Sequence, residues 1–289
     1  MSRDARRLID WNIPVAKHSY TRRDTAFYAL SLGVGRDPLD RRALALVDPW
    51  HSGLKALPTL ALVLGYPGFW LGEREVEQAS GVSPTQILHA EQAVTLAAPL
   101  PVEGEVSGHT RVTALVDKGV GRGALLYSER RIIDERTGSL LATCSQVHYL
   151  RGAGGCGTVG QAPGRANASV DEPTSQIEVP TLSQQALLYR LNGDANPLHS
   201  DPDAASIAGF ERPILHGMCT TGMAVAAVIS ELAQGDPDRV RALSVRMTSP
   251  VMPGESLQIE ISRDGGFRAR IPSRSVTVLD CGRVYLEGV

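Results

Sequence analysis

The sequence predicts an α+β protein built from two similar halves, each a helix laid against an antiparallel sheet. Three observations lead there. The stretch HGMCTTGMAVAAVISELAQG, ending at Gly235, is apolar on almost every face, so its helix belongs in a core rather than on a surface. Short runs rich in Val, Ile and Leu follow it (ALSVRMTSP, SLQIEISRDGG, FRARIP, SVTVLDCG, RVYLEGV), cut by Pro-Gly, Asp-Gly-Gly and Cys-Gly turns, the pattern of a meandering sheet. The first half carries the same kind of runs in RVTALVDKG, GALLYSERRIIDERTG and LLATCSQVHYL.

A faint internal repeat supports the duplication. FYALSLGVGRDPLD (27–40) resembles LLYRLNGDANPLH (187–199): with Pro38 on Pro197, Leu39 falls on Leu198, and the first half is two residues longer between its Tyr and its Pro. Further on, VTLAAPLPVEGE (94–105) matches VRMTSPVMPGE (245–255), each placing a proline shortly before a Gly-Glu turn. The expected organisation is a first half over 1–152, a linker over 153–175 and a second half over 176–289. The linker lies in RGAGGCGTVGQAPGRANASVDEPTSQ, dense in Gly, Ala, Pro and Ser. A formal G-x-G-x-x-G sits there at Gly152, Gly154 and Gly157. That motif needs a helix after it, and the Gly, Gln, Pro and Gly that follow cannot open one.

Composition narrows the function. The chain has 289 residues, 43% of them hydrophobic, enough for a sizeable core. Its formal charge is −2 and no basic block appears, which gives no push toward nucleic acid. Cys144, Cys156, Cys219 and Cys281 form no C-x-x-C pair or zinc module and read as packing thiols of a reducing compartment. The N-terminal MSRDARRLIDWNIP has no apolar signal region, no apolar stretch is long enough to span a bilayer, and LEGV is not a peroxisomal address. A cytoplasmic protein without membrane association is expected.

The chemistry concentrates in YRLNGDANPLH (189–199). Asn-Gly and Asn-Pro are turn formers and account for Asn192, Gly193, Asn196 and Pro197 as a plain loop. They do not call for Asp194 and His199. A metal site needs three or four ligands, and this stretch offers one carboxylate and one imidazole, so no metal is expected. A carboxyl and an imidazole five residues apart across a proline-stiffened turn can instead face one small cavity, one taking a proton from water and the other delivering a proton to carbon. Downstream, GFERPILHGMCTTGMA leads through His216 and Gly217 into the apolar helix. The first N–H groups of a helix lack internal partners and sit at its positive end. Gly217 has no side chain to keep an oxygen away, which makes it either an oxyanion donor or a residue that permits close helix packing. Cys219, on the apolar helix, reads as a structural thiol.

YRLNGDANPLH followed by RPILHGMCTTG resembles the hydratase 2 signature of the MaoC-like family, nearest in look to the hydratase part of multifunctional enzyme type 2. YTRRDTAFYALSLGVG, LPTLALVLG, ILHAEQAVTLAAPLPVEGEV and SPVMPGESLQIEI resemble that family's segments in order, over most of the chain. The resemblance implies a double hot-dog: two antiparallel sheets, each wrapped round a central helix. It implies (R)-specific hydration of trans-2-enoyl-CoA to (R)-3-hydroxyacyl-CoA and the reverse, with an acyl-CoA substrate, no cofactor and a homodimer. Carried over by position, Asp194 and His199 are the acid/base pair, Asn196 orients the water or the pair, and the Gly217 N–H meets the thioester oxygen. In the repeat, Asp194, Asn196 and His199 face Gly35, Asp37 and Asp40, so one active site per chain is expected, with the first half shaping the acyl pocket through LPTLALVLGYPGFW. The alternatives are a 3-hydroxyacyl-acyl carrier protein dehydratase, a non-catalytic acyl-thioester binder and a thioesterase. The arginines that meet the CoA phosphates are not identifiable, although Arg246, Arg268 and Arg270 lie in strand-like runs.

Overall fold

The computed structural model describes residues 4–163 and 172–288. Its strands are β1 (Ala16–Tyr20), β2 (Ile87–Leu96), β3 (Gly104–Asp117), β4 (Ala124–Asp134) and β5 (Leu140–Leu150) in the first half, and β6 (Ser175–Pro180), β7 (Val240–Met247), β8 (Ser256–Ile261), β9 (Gly266–Ile271) and β10 (Val276–Leu286) in the second. The helices are α1 (Arg22–Ser31), α2 (Arg41–Val47), α3 (Arg74–Ser80), α4 (Gln185–Tyr189), α5 (Pro202–Ile207) and α6 (Gly217–Leu232).

The strand order is β1-β3-β4-β5-β2-β7-β10-β9-β8-β6. Numbered within its own half, each side of the β2–β7 seam reads 2-5-4-3-1 outward, so the duplication legible in the sequence is present in the topology. The two expected half-sheets join edge to edge: β2 pairs antiparallel with β7 from Glu91↔Arg246 to Thr95↔Ala242, giving one continuous sheet of ten strands. Each half thereby covers the other's most vulnerable edge. The tyrosines matched by the repeat, Tyr28 at the end of α1 and Tyr189 at the end of α4, face each other with ring centroids 6.1 Å apart.

In the second half the sheet wraps α6 as expected. Cys219, Ala224, Val225, Val228 and Ile229 of that helix are 0–1% exposed. The contact with α1 is close enough that a Cβ on Gly222 would come within 2.7 Å of Leu32. The first half departs from the expectation of a second long helix. That place is taken by the short 3-10 segment Pro58–Leu62, all of it buried. A single turn leaves its carbonyls exposed to the core, and a buried polar group without a partner is costly. Arg130, on β4 and only 2% exposed, meets this need by donating from its guanidinium to the carbonyls of Ala61 (2.9 Å) and Leu62 (2.8 Å).

The segment expected to be a linker is not free over its described part. The carboxylate of Asp117 accepts from the N–H groups of Gly119, Gly155 and Gly157, and Val159 bridges to Leu115 of β3. No helix follows the glycines through residue 163, as the rejection of a dinucleotide motif requires. Residues 164–171 of the expected linker lie outside the described residues.

Candidate active site

The turn after α4 is built by its own sequence. Residues Arg190–Asn192 form a 3-10 turn that ends at Gly193, whose φ of +109° is a conformation side chains disfavour. The reversal brings Asp194 to the rim of the cavity. Asn196 then caps the next turn, Pro197–His199, its Oδ1 accepting from the Leu198 N–H at 3.1 Å. That bond engages the amide oxygen, and the Asn196 NH2 has no acceptor among the described residues. The Asn196 N–H in turn donates to Asp194 Oδ1 at 3.2 Å, holding the carboxylate.

The run Arg212–His216 passes behind the turn. It is tied in place by Leu215 N–H donating to the Val251 carbonyl at 2.8 Å. His199 Nδ1 lies 2.9 Å from the Ile214 carbonyl. A carbonyl only accepts, so Nδ1 carries the proton and a neutral ring presents a bare Nε2. Burial holds the His199 pKa below its usual value, against the attraction of the Asp194 carboxylate and the bond to Ile214, so the neutral ring is the ordinary form.

Asp194, Asn196, His199 and Gly217 all line one cavity of about 600 Å³. The residues named from the sequence are thus gathered from two separate stretches onto a single surface. α6 opens at Gly217, with His216 before it giving no side-chain cap. The Gly217 N–H meets no protein acceptor among the described residues. Both readings of Gly217 have a physical basis here, since a Cβ at that position would lie 2.6 Å from Met247 Sδ. Cys219 is fully buried on α6 with its thiol pKa raised by burial, as befits a packing residue.

Sequence reasoning missed His216. Its ring stacks on His199 with centroids 3.8 Å apart and planes inclined by 30°. Nε2 donates to the Asp194 backbone carbonyl at 3.4 Å, and Nδ1 is buried without a partner among the described residues. Burial, with His199 adding, pushes the His216 pKa down to about 2, so this ring is a neutral plate behind His199. An imidazole immediately before the glycine of the helix start was the available signal. A ligand atom each of Asp194, His199 and His216 lie within 4.8 Å of one another. The stacking is ill-suited to a shared metal: an ion must lie in the plane of each ring it binds, and planes so close and so nearly parallel meet far beyond bonding distance. A second stacked pair, His89 on β2 and His148 on β5 (4.7 Å, 26°), also lines the cavity and was not singled out by the sequence. Arg246 and Arg268 lie on strands as expected. Arg246 is bonded to Glu91 across the β2–β7 seam at 3.0 Å, and Arg268 to Glu260.

Comparison with known proteins bears on this arrangement. A family model described as MFE-2 hydratase 2 N-terminal domain matches residues 18–152, and one described as MaoC like domain matches residues 165–280. The chain is 35% identical to the enoyl-CoA hydratase 2, peroxisomal, of Arabidopsis thaliana, over 98% of this chain and 95% of that protein. It is 38% identical to the 3-hydroxyacyl-thioester dehydratase Y of Mycobacterium tuberculosis, over 86% and 84% respectively. Among solved structures, a MaoC-like dehydratase from Phytophthora capsici superposes with a TM-score of 0.82 at 29% identity, covering 96% of this chain and 97% of that one. Matches that account for both halves, at this identity and over nearly the whole length, mean that the chain belongs to the MaoC-like hydratase 2 family and has its double hot-dog fold.

Proposed function

We propose that this protein is a hydro-lyase that adds water to trans-2-enoyl-CoA thioesters, giving (R)-3-hydroxyacyl-CoA, and catalyses the reverse dehydration. The observation that carries the reading is the convergence of a carboxylate, a neutral imidazole with its second nitrogen bare, an amide donor and an unpartnered helix-start N–H on one cavity.

Each group has a part. Water is a weak nucleophile, and His199 Nε2 removes its proton as it attacks the β-carbon. Negative charge then moves onto the thioester oxygen. The Gly217 N–H, fixed at the positive end of α6, stabilises that charge where it develops, which is typically worth about 3–4 kcal/mol. Asp194, protonated at that moment, delivers its proton to the α-carbon; the proton held by His199 then passes to the Asp194 carboxylate and resets the pair, and the Asn196 NH2 orients the water. Asp194 and His199 stand on one turn, so both parts of water arrive from one face of the double bond. The (R) outcome and the acyl-CoA substrate follow the family resemblance and the names of the relatives. An acid, a base and an oxyanion donor suffice for these steps, so we assign no cofactor. A homodimer is part of the proposal on the same resemblance, and a cytoplasmic location on the four free cysteines, which suit a reducing compartment. Among the described residues no helix is long and apolar enough to cross a membrane.

Hydration of crotonyl-CoA by the wild type and by His199→Ala, with chiral analysis of the product, tests the reading. A drop of about 10²–10⁴-fold in the variant is expected. Equal rates, an (S) product, or release of free CoA would overturn it. The same comparison with an acyl carrier protein thioester decides the carrier.

A further inference from the structure

One ring of the site has no part in those steps. His216 is 1% exposed, and its Nδ1 is buried without a partner among the described residues. The bond from its Nε2 to the Asp194 carbonyl is long, at 3.4 Å. Hydrogen bonding alone therefore does not account for an imidazole here. What the ring offers is its face, which lies on His199 with centroids 3.8 Å apart and planes inclined by 30°.

That face is fixed from several sides. The His216 carbonyl accepts from the Thr220 N–H at 3.1 Å and the Thr220 hydroxyl at 3.3 Å, which ties it to α6. Leu215, just before it, is tied to Val251. Tyr189 packs on the ring with centroids 5.0 Å apart, and Tyr189 in turn meets Tyr28, whose hydroxyl donates to the Thr59 carbonyl at 2.7 Å. The bond to Asp194 sets the angle of the ring.

His199 is an imidazolium only while it holds the proton taken from water. Burial opposes that charge, and the Asp194 carboxylate favours it. His216 is kept neutral by burial, by His199 and by Arg190, against its bond to Asp194, so a charged His199 meets a neutral ring. Burial keeps the Tyr189 phenol neutral as well. A neutral aromatic ring is electron-rich on its face and attracts a cation laid over it. An interaction stronger for the charged base than for the neutral one accelerates the step that creates the charge.

We propose that His216 is a positioning residue of the hydration step: its face holds the His199 ring in line and steadies the imidazolium that forms there. The inference rests on the proposed enoyl-CoA hydratase reading.

The test sets His216→Phe against His216→Leu, which fill the space with and without an aromatic face. His216→Phe should keep kcat on crotonyl-CoA within about three-fold of the wild type. His216→Leu should lose about five- to thirty-fold in kcat with little change in KM. The acid limb of kcat/KM reports the base of the free enzyme, and it should lie lower in His216→Leu than in His216→Phe by about half a pH unit or more. His216→Gln keeps an N–H toward the Asp194 carbonyl but has no face, and should behave as His216→Leu does. Equal kcat, or equal acid limbs, in His216→Phe and His216→Leu overturns the proposal and leaves His216 as a space filler. Full activity in His216→Gln with loss in His216→Phe overturns it in favour of the bond to Asp194. If His216→Leu fails to fold, His216→Met carries the same expectations. Titration of the His199 ring by nitrogen-15 NMR compares the same variants without turnover. An inactive wild type overturns the hydratase reading, while a higher His199 pKa in His216→Phe than in His216→Leu would still uphold the stack.

Discussion

Replacing Gly217 by proline removes one N–H and puts a ring carbon in its place. The residue is the first of α6, where a proline's missing donor breaks no intrahelical bond. The preceding residue must then avoid the helical region, and His216 already sits at φ −57°, ψ 132°. The substitution is therefore compatible with the backbone as it stands. The remaining strain is steric: a Cβ at 217 lies 2.6 Å from Met247 Sδ, the soft end of a flexible side chain, and overpacking of this kind costs about 1 kcal/mol. Gly217→Ala carries that same push on Met247 but keeps the N–H, and is the control. If the N–H is the oxyanion donor, the proline variant loses about 3–4 kcal/mol of transition-state stabilisation, or roughly 10²–10³ in kcat. The alanine variant should stay within about ten-fold of the wild type. The assay is kcat on crotonyl-CoA beside a thermal melt of each protein. Two folded variants with equal kcat would refute the reasoning and leave Gly217 as a packing residue only.

Asp40→Ala should retain full hydratase activity while losing about 0.5–2 kcal/mol of stability by urea titration, because its carboxylate caps α2 by accepting from the Arg42 N–H. Acid should unfold the protein early. Burial holds the pKa of His89 down to about 4, that of His216 to about 2 and that of His148 well below its usual value, so the unfolded chain takes up protons that the folded one refuses. Their stabilisation is complete above pH ~6.5 and is lost as pH falls, by about 1 kcal/mol per histidine between pH ~6.5 and ~5.5; a flat melting temperature across that window would contradict it. Alkylation of the native protein, read by mass spectrometry, should label the part-exposed Cys156 and Cys281 and spare Cys144 and Cys219, whose thiols are buried with raised pKa values.

The repeat was legible because it survives at structural landmarks. Pro197 and Pro38 stiffen corresponding turns, and Tyr189 and Tyr28 pack against each other. The cluster around Asp194 was legible because turn chemistry explained its neighbours and left the acid and the imidazole over. What escaped was set by distant contacts. Arg130 lies in SERRIID, where no local pattern marks which charge will turn inward, and its guanidinium satisfies carbonyls nearly seventy residues away. His216 gains its role only by stacking on His199, seventeen positions earlier. The β2–β7 seam joins segments about 150 residues apart, and no local pattern marks which two edges of two similar sheets will meet.

The expectation that the first half is inert has, besides the Gly35 that stands in place of Asp194, two further grounds in the structure. Its counterpart of the catalytic turn has Asp40 where the second half has His199, and that carboxylate is spent on capping α2. Its counterpart of α6 is the 3-10 segment that begins at Pro58, a residue with no N–H to offer a developing oxyanion. Restoring the imidazole alone therefore leaves the acid and the oxyanion donor missing. Asp40→His placed in a His199→Ala background should recover no hydratase activity, and adding Pro58→Gly should not help, because the carbonyl end of that segment is pinned by Arg130 rather than opened toward a substrate. Recovery of turnover in the double variant, with a product of unchanged hand, would show that the first half keeps a latent site and that the division of labour between the halves rests on a single residue.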